Sequence, residues 1–259
     1  MVRQIISYLL VTLICLGSCK TASTTTPPPP QIDTAPSWFP VETLPRYFKN
    51  LNKTDYDPYP FVGSVNHAEG QILIGSGVII EPSVVLTAAH VSDGKKAEDL
   101  IFITQDGDEH CIKEVLYYPV PKPHFFFNSV SWSEHYDISI LMLEDECDEI
   151  PINLFNDRVD SIYKGEDLTM IGYSGGIKRY STEGVFWYYG RFIKKPQFLI
   201  TLPIKETVWF GDSGGALITD DGKLIGIVSY MARREGILYE NGFSSIEYYY
   251  DWIDNEVGN

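Results

Sequence analysis

From about Asp57 to Tyr230 the chain is a succession of short β-branched and aromatic runs broken by turn signals, and only its last stretch carries a helical period. Gln71-Ile72-Leu73-Ile74 leads through Gly75-Ser76-Gly77 into Val78-Ile79-Ile80. Glu81-Pro82-Ser83 then reads as a turn, and Val84-Val85-Leu86 resumes a strand. Strands are predicted at Ile101–Thr104, Ile112–Val120, Ile138–Leu143, Leu168–Gly172, Phe198–Leu202, Ala216–Thr219 and Leu224–Tyr230. Asp221-Gly222 reads as a tight hairpin turn. Ile246 to Val257 lacks Gly and Pro, and Ile246, Tyr249, Tyr250 and Ile253 fall at i, i+3, i+4 and i+7, which predicts a helix. Many short strands without alternating helices leave a sandwich or a barrel, and pattern alone does not choose. No internal repeat is present.

The length of 259 residues suits one large all-β domain or two small ones. Apolar content of 44% and charged content of 21% are those of an ordinary globular protein. A formal net charge of −15 repels nucleic acid and anionic lipid, so nucleic-acid binding is not expected.

The amino terminus is not part of that rhythm. Arg3 supplies a positive n-region, and Ile5 to Leu16 is an apolar run too short for a mature membrane span. Residues 1–18 therefore read as a signal peptide. Leu16-Gly17-Ser18-Cys19 resembles the lipobox of bacterial lipoproteins, which implies cleavage before Cys19 and a lipid on it. The alternative is an ordinary secretory signal and a soluble secreted protein. Thr24-Thr25-Thr26 and Pro27-Pro28-Pro29-Pro30 cannot bury a core, so residues 19–45 read as an extended tether. With Cys15 in the signal and Cys19 set aside, Cys111 and Cys147 remain. Export permits a disulfide between them, and two buried free thiols are the alternative.

Three stretches carry groups that do chemistry together. Leu86-Thr87-Ala88-Ala89-His90-Val91 ends a strand in small residues and a histidine. Tyr136-Asp137-Ile138-Ser139-Ile140-Leu141 places one acid before an apolar strand. Gly211-Asp212-Ser213-Gly214-Gly215 frames a serine with glycines. A serine hydroxyl is a weak nucleophile until an adjacent base takes its proton. Histidine is that base near neutral pH, and a buried carboxylate fixes its tautomer. Glycines let backbone N–H groups converge on a developing oxyanion. Each stretch alone has a bland reading: a structural histidine, a strand-start cap, a glycine loop.

Chain order separates the possible folds. Gly211-x-Ser213-x-Gly215 and Gly172-x-Ser174-x-Gly176 both fit a nucleophile elbow, but that fold needs its histidine after the serine. All five histidines (His67, His90, His110, His124, His135) precede Ser174. The subtilisin order, Asp before His before Ser, has Asp55 or Asp57 formally available but lacks the helices. His, Asp, Ser on an all-β chain leaves the chymotrypsin type.

These motifs resemble those of the trypsin-like, chymotrypsin-fold serine peptidases. Leu86 to His90 is similar to the family's histidine motif, Asp137 to Leu141 to its aspartate motif, and Gly211 to Gly215 to its serine motif. Gly226-Ile227-Val228-Ser229-Tyr230 resembles the strand that pairs with substrate backbone. Gly242-Phe243 followed by Tyr249 and Asp251-Trp252-Ile253 resembles the closing strand and helix. The likeness covers about residues 60 to 259, within a domain taken as 46–259.

The resemblance implies an all-β protein of two six-stranded antiparallel β-barrels with a C-terminal helix, and a serine endopeptidase acting through an acyl-enzyme on Ser213. By it, His90 is the base, Asp137 its orienter, and the N–H groups of Gly211 and Ser213 the oxyanion hole. Ser229 supports Asp137, and Ser229, Tyr230 and Met231 hold the substrate chain as an added strand. Thr207 lies at the base of the primary specificity pocket, with Tyr230, Met231, Asn241 and Phe243 as walls. Thr207 is not an acid, so a preference for Arg or Lys is unsupported. No cofactor or metal is expected, and the partner is a protein or peptide substrate.

The chain departs from the animal members at two places. Val91 and Gly75-Ser76 stand where a cysteine pair is common, and no Ile-Val-Gly-Gly activation site precedes the domain. Asp212, whose counterpart pairs with a freed N-terminus in zymogen-type members, is nonetheless retained. An internal Arg or Lys, or a solvent network, is expected to satisfy it. Two other readings use the same residues: a silent binding protein on this fold, or an esterase.

Overall fold

The computed structural model describes residues 49–51, 56–119, 136–157, 167–189, 198–202, 208–234 and 237–258. The signal, the whole 19–45 tether with Cys19, Asp55, His124, His135 and Thr207 lie outside the described residues.

A short strand, β1 (Lys49–Leu51), precedes two β units. The first unit is a closed antiparallel barrel of six strands: β2 (Val62–His67), β3 (Leu73–Glu81), β4 (Val84–Thr87), β5 (Leu100–Ile103), β6 (Glu109–Tyr117) and β7 (Ser139–Leu143). Their order round the barrel is β2-β3-β4-β7-β6-β5. Val62, Val78, Leu86, Phe102, Ile140 and Leu141 on its strands are each fully buried. Closure removes every strand edge, and β-branched side chains suit the pleated inner surface. A single helical turn, α1 (Ala89–Ser92), follows β4 and carries His90.

The second unit comprises β8 (Asp167–Ser174), β9 (Ile177–Tyr189), β10 (Phe198–Leu202), β11 (Ala216–Ile218), β12 (Leu224–Arg234) and β13 (Ile237–Ser245). With β1 they form a seven-stranded sheet in the order β1-β9-β10-β13-β12-β11-β8, and β9 also pairs with β8. Of the expected pair, the first is a closed six-stranded barrel, and the second unit is a seven-stranded sheet in which β9 pairs with both β8 and β10. Strand β9 is 13 residues long. Its first part pairs with β8 on one edge and β1 on the other, and its last part pairs with β10. Leu168, Leu199, Ile225 and Phe243 form this unit's core.

The helix predicted from periodicity is α2 (Ile246–Val257). It buries Ile246, Tyr249, Trp252 and Ile253. Tyr118, just beyond β6, receives it edge-on: ring centroids are 5.0 Å from Tyr249 and 5.5 Å from Trp252. Tyr118 also stacks on Tyr136 at 5.2 Å, so the helix is clamped beside Asp137. No helix among the described residues is long and apolar enough to cross a membrane.

Two glycine-rich turns resolve as hairpins. Gly175 and Gly176, with φ of 62° and 78°, link β8 to β9. The second elbow-like motif around Ser174 is therefore a turn of the sheet. Asp221-Gly222 closes the β11–β12 hairpin as predicted, with Gly222 at φ 78°. Cys147 is a buried free thiol, so it does not pair with Cys111.

Truncating Trp252 to alanine removes the aromatic that seats α2 on the barrel. Denaturant unfolding of Trp252→Ala is expected to show a loss of about 3–5 kcal/mol. A loss under about 1 kcal/mol would mean that α2 does not depend on this contact.

Candidate active site

His90 stands at the open end of β4, on α1. The turn is fixed from below. Ser92 Oγ lies 3.0 Å from Ser139 Oγ, and Tyr117 donates its hydroxyl to Ser92 O at 3.0 Å. Asp137 precedes β7 and is 1% exposed. One carboxylate oxygen accepts from His90 N at 3.0 Å, and the other lies 2.8 Å from His90 Nδ1. That second oxygen also accepts from Ser229 Oγ of β12 at 2.5 Å. The Asp137 carbonyl accepts from Ser244 Oγ of β13, again at 2.5 Å.

These contacts set the protonation states. Burial raises Asp137, but the His90 charge and hydrogen bonds from His90 and Ser229 outweigh it and hold the carboxyl below its ordinary value. Burial pulls His90 down, and the Asp137 charge and hydrogen bond carry it above the ordinary 6.5. An ionised Asp137 can only accept, so Nδ1 carries the ring proton in neutral His90. Nε2 is then left as a base.

The serine stretch is a tight turn between Trp209 and Gly215. Asp212 N donates to Trp209 O at 2.9 Å, and Gly215 N to Asp212 O at 2.8 Å. Gly214 N donates to Val228 O of β12 at 2.8 Å. The amides of Gly211 and Ser213 donate to no acceptor among the described residues. Gly211 has φ 96° and Gly214 φ 85°. A Cβ on Gly211 would lie 2.2 Å from Tyr173 O, and one on Gly214 2.1 Å from Ser76 O. Only glycine meets both the backbone angle and the space at these positions.

Ser76 of β3 ties this turn to the barrel, and sequence reasoning missed it. Its hydroxyl donates to Gly211 O at 2.7 Å and accepts from Tyr173 N at 2.9 Å. Its N–H donates to Ser213 O at 2.7 Å, and its carbonyl accepts from Thr87 Oγ1 at 2.7 Å. Beside it Val91 packs on Gly75, whose Cβ would sit 2.7 Å from a Val91 methyl. Apolar packing and hydrogen bonds thus join the histidine turn, β3 and the serine turn where a disulfide is common in animal members. The only signal for Ser76 in the sequence was a small polar residue between two glycines.

Arg179 of β9 satisfies Asp212. Its Nε donates to Asp212 Oδ1 at 3.1 Å, and its Nη2 pairs with Oδ2. Trp209 N donates to the same Oδ2 at 2.7 Å. Both side chains are buried, so the pair is a forked, charge-assisted contact inside the protein. Of the expected ways of holding this acid, an internal arginine is the one present. Asp57, the subtilisin-order candidate, instead pairs with the buried Lys178 at 2.5 Å.

Ser229, Tyr230 and Met231 lie on β12. Strand β11 pairs with β12 only over Leu224–Ile227, whereas β13 pairs with it as far as Arg234. The Tyr230 ring packs edge-on to Phe198 at 5.6 Å. Asn241 Oδ1 accepts from Val208 N at 3.3 Å. Phe243 is 1% exposed and belongs to the core of the sheet. Cys147 is no rival nucleophile: burial and the neighbouring Glu149 and Asp148 push its thiol up to about 12.

Residues 75–227 match the trypsin-like peptidase domain family, which is more than half of the chain. The chain belongs to that family. Two curated relatives are each named a probable periplasmic serine endoprotease, DegP-like. The one from Halomonas elongata is 27% identical over 199 residues, covering 75% of this chain and 38% of that protein. The one from Marinomonas is 26% identical over 197 residues, covering 75% and 37%. The chain therefore spans well under half the length of these relatives.

Solved structures share the fold. A scabies mite inactivated protease paralogue superposes with a TM-score of 0.62 at 19% identity, covering 77% of this chain and 96% of the other. The Vibrio cholerae VesB protease gives 0.62 at 18%, covering 81% and 67%. Neuropsin, a serine protease of mouse brain, gives 0.62 at 18%, covering 77% and 95%.

Removing Arg179 leaves a buried carboxylate without its cation. Arg179→Ala is expected to cost about 3–5 kcal/mol in denaturant unfolding and to lower turnover of any substrate. An unchanged midpoint would mean that Asp212 is satisfied without Arg179.

Proposed function

We propose that this chain is a serine endopeptidase that cleaves peptide bonds through an acyl-enzyme on Ser213. The observation that carries the reading is the buried Asp137 carboxylate, bound to both the N–H and the ring of His90 and supported by Ser229. His90 Nε2 takes the Ser213 proton as the hydroxyl attacks the peptide carbonyl. The resulting imidazolium is stabilised by Asp137, then protonates the leaving amine. The N–H groups of Gly211 and Ser213, which donate to nothing else described, receive the oxyanion. Water then attacks the acyl-enzyme by the same route in reverse.

Ser229, Tyr230 and Met231 hold the substrate as an added strand, beyond the point where β11 leaves β12. By the family resemblance Thr207 corresponds to the base of the primary pocket, and a threonine there offers no charge to a basic side chain. Arg179 supports the site in place of a freed N-terminus, so the enzyme works without activation cleavage. We read the sheet of β8 to β13 as the family's second barrel, with β1 added at the long β9.

Residues 1–18 act as a signal, and Cys19 carries a lipid that anchors the 46–259 domain through the 19–45 tether. The periplasmic names of the relatives support export. The soluble secreted protein is the alternative, and the mass of the mature N-terminus distinguishes the two.

A silent scaffold with this fold is the second reading, because an inactivated paralogue shares it. Hydrolysis of a peptide library by the full chain decides between them. Cleavage that falls at least thousandfold in Ser213→Ala, and roughly 10⁴-fold in Asp137→Asn, supports the peptidase. Ester hydrolysis without peptide cleavage supports an esterase, and no turnover supports the scaffold.

His90 must be neutral to act, and its proton is held above the ordinary 6.5. The acid limb of kcat/KM is therefore expected to fall away as pH drops through a value above 6.5. Asp137→Asn removes the opposing charge and should move that limb down. A limb near carboxylate pH in the wild type would exclude His90 as the base.

A further inference from the structure

One cluster of metal-type ligands lies outside the catalytic centre and plays no part in the chemistry above. His110 at the start of β6 and Cys147 and Glu149 after β7 bring a ring nitrogen, the sulfur and a carboxylate oxygen within 4.8 Å of one another. Two of these groups have no other occupation. His110 Nε2 is buried and has no hydrogen-bond partner. The Cys147 thiol is 6% exposed, is not in a disulfide and makes no side-chain hydrogen bond among the described residues. A buried, unpartnered ring nitrogen is rare in folded proteins.

The backbone at two of these residues is held in place by pairing on either side. His110 pairs with Phe102 across the barrel rim, and its ring lies 6.4 Å from the Phe102 ring. Adjacent residues on a strand face opposite ways, so His110 and Cys111 point apart. Cys147 is drawn in from the other side: its N–H donates to Pro82 O at 2.7 Å in the β3–β4 turn. Glu144, Asp145, Glu146 and Asp148 are exposed around it. By themselves they are a solvated acidic surface, and they favour approach of a cation.

We propose that His110, Cys147 and Glu149 bind a thiophilic divalent cation of the zinc type as a structural clip on the first barrel. Sulfur with imidazole and carboxylate suits zinc and excludes calcium or magnesium, which take oxygen ligands. Tetrahedral zinc with bonds of about 2.0–2.3 Å needs its ligands roughly 3.6 Å apart. The observed spacing of up to 4.8 Å is about an ångström longer than that. Water completes the fourth position. The clip joins β6 to the chain beyond β7, on both sides of Asp137 in sequence, and so braces the segment that supplies the orienting carboxylate. The proposal does not rest on peptidase activity.

Cobalt(II) is the probe, because a cobalt–thiolate bond absorbs in the near ultraviolet. The reduced, chelator-treated full chain is titrated with cobalt, using His90→Ala as a control for binding at the catalytic centre. One equivalent with a thiolate-to-cobalt band is expected, retained in His90→Ala and lost in Cys147→Ser. His110→Ala and Glu149→Gln, at half-buried positions, are each expected to weaken cobalt binding tenfold or more, and they serve if Cys147→Ser does not fold. Zinc should raise the Tm of the wild type but not of His110→Ala. The proposal is overturned by absence of the band, by its survival in Cys147→Ser, by unchanged affinity in both half-buried variants, or by a Cys111–Cys147 disulfide in the purified protein.

Discussion

The buried carboxylate of Asp137 is the interaction on which the two β units depend for a common site. It reaches the first unit through the backbone and ring of His90, and the second through Ser229. Its own carbonyl is held by Ser244. A charge this deeply buried is tolerated only when nearly every lone pair is satisfied. Here three donors do so, two from His90 of α1 and one from Ser229 of β12. The requirement to satisfy one charge thus fixes how the units meet, and the same charge fixes the tautomer of His90. Structural and chemical demands coincide in one residue.

A second buried charge performs the matching task for the serine turn. Asp212 is held by Arg179 from β9 and by the Trp209 amide. Ser76 fastens the outer side of the same turn to β3. The turn is therefore anchored from both units, and the Gly211 and Ser213 amides donate to no acceptor among the described residues. In zymogen-type relatives a freed N-terminus supplies the counter-charge. In this chain the counter-charge is an arginine three residues after the β8–β9 hairpin glycines, so folding alone supplies it.

Much of this was legible in the sequence, for identifiable reasons. Phe198–Leu202 and Ile246–Val257 were bounded correctly, because the first is a short apolar run and the second has a clear helical face. Strand β2 was missed: Val62-Gly63-Ser64-Val65-Asn66-His67 is buried but interrupts its apolar residues with small and polar ones. Strand β9 was missed because Lys178 and Arg179 read as surface residues, whereas each is buried against a carboxylate. Composition does not reveal a charge that is paired across 33 residues or more. The residues proposed for catalysis were picked out because three short motifs occur in one order. Ser76 was not, since its role is a set of hydrogen bonds to residues distant in sequence.

The central claim is that folding alone makes Ser213 nucleophilic in an uncleaved domain. Intact-protein mass spectrometry after treatment with a fluorophosphonate tests it most directly, followed by peptide mapping of the adduct. The account predicts one adduct per chain, located on Ser213, in protein with no internal cleavage. An adduct that appears only after proteolytic trimming, that maps to another serine, or that fails to form would contradict it.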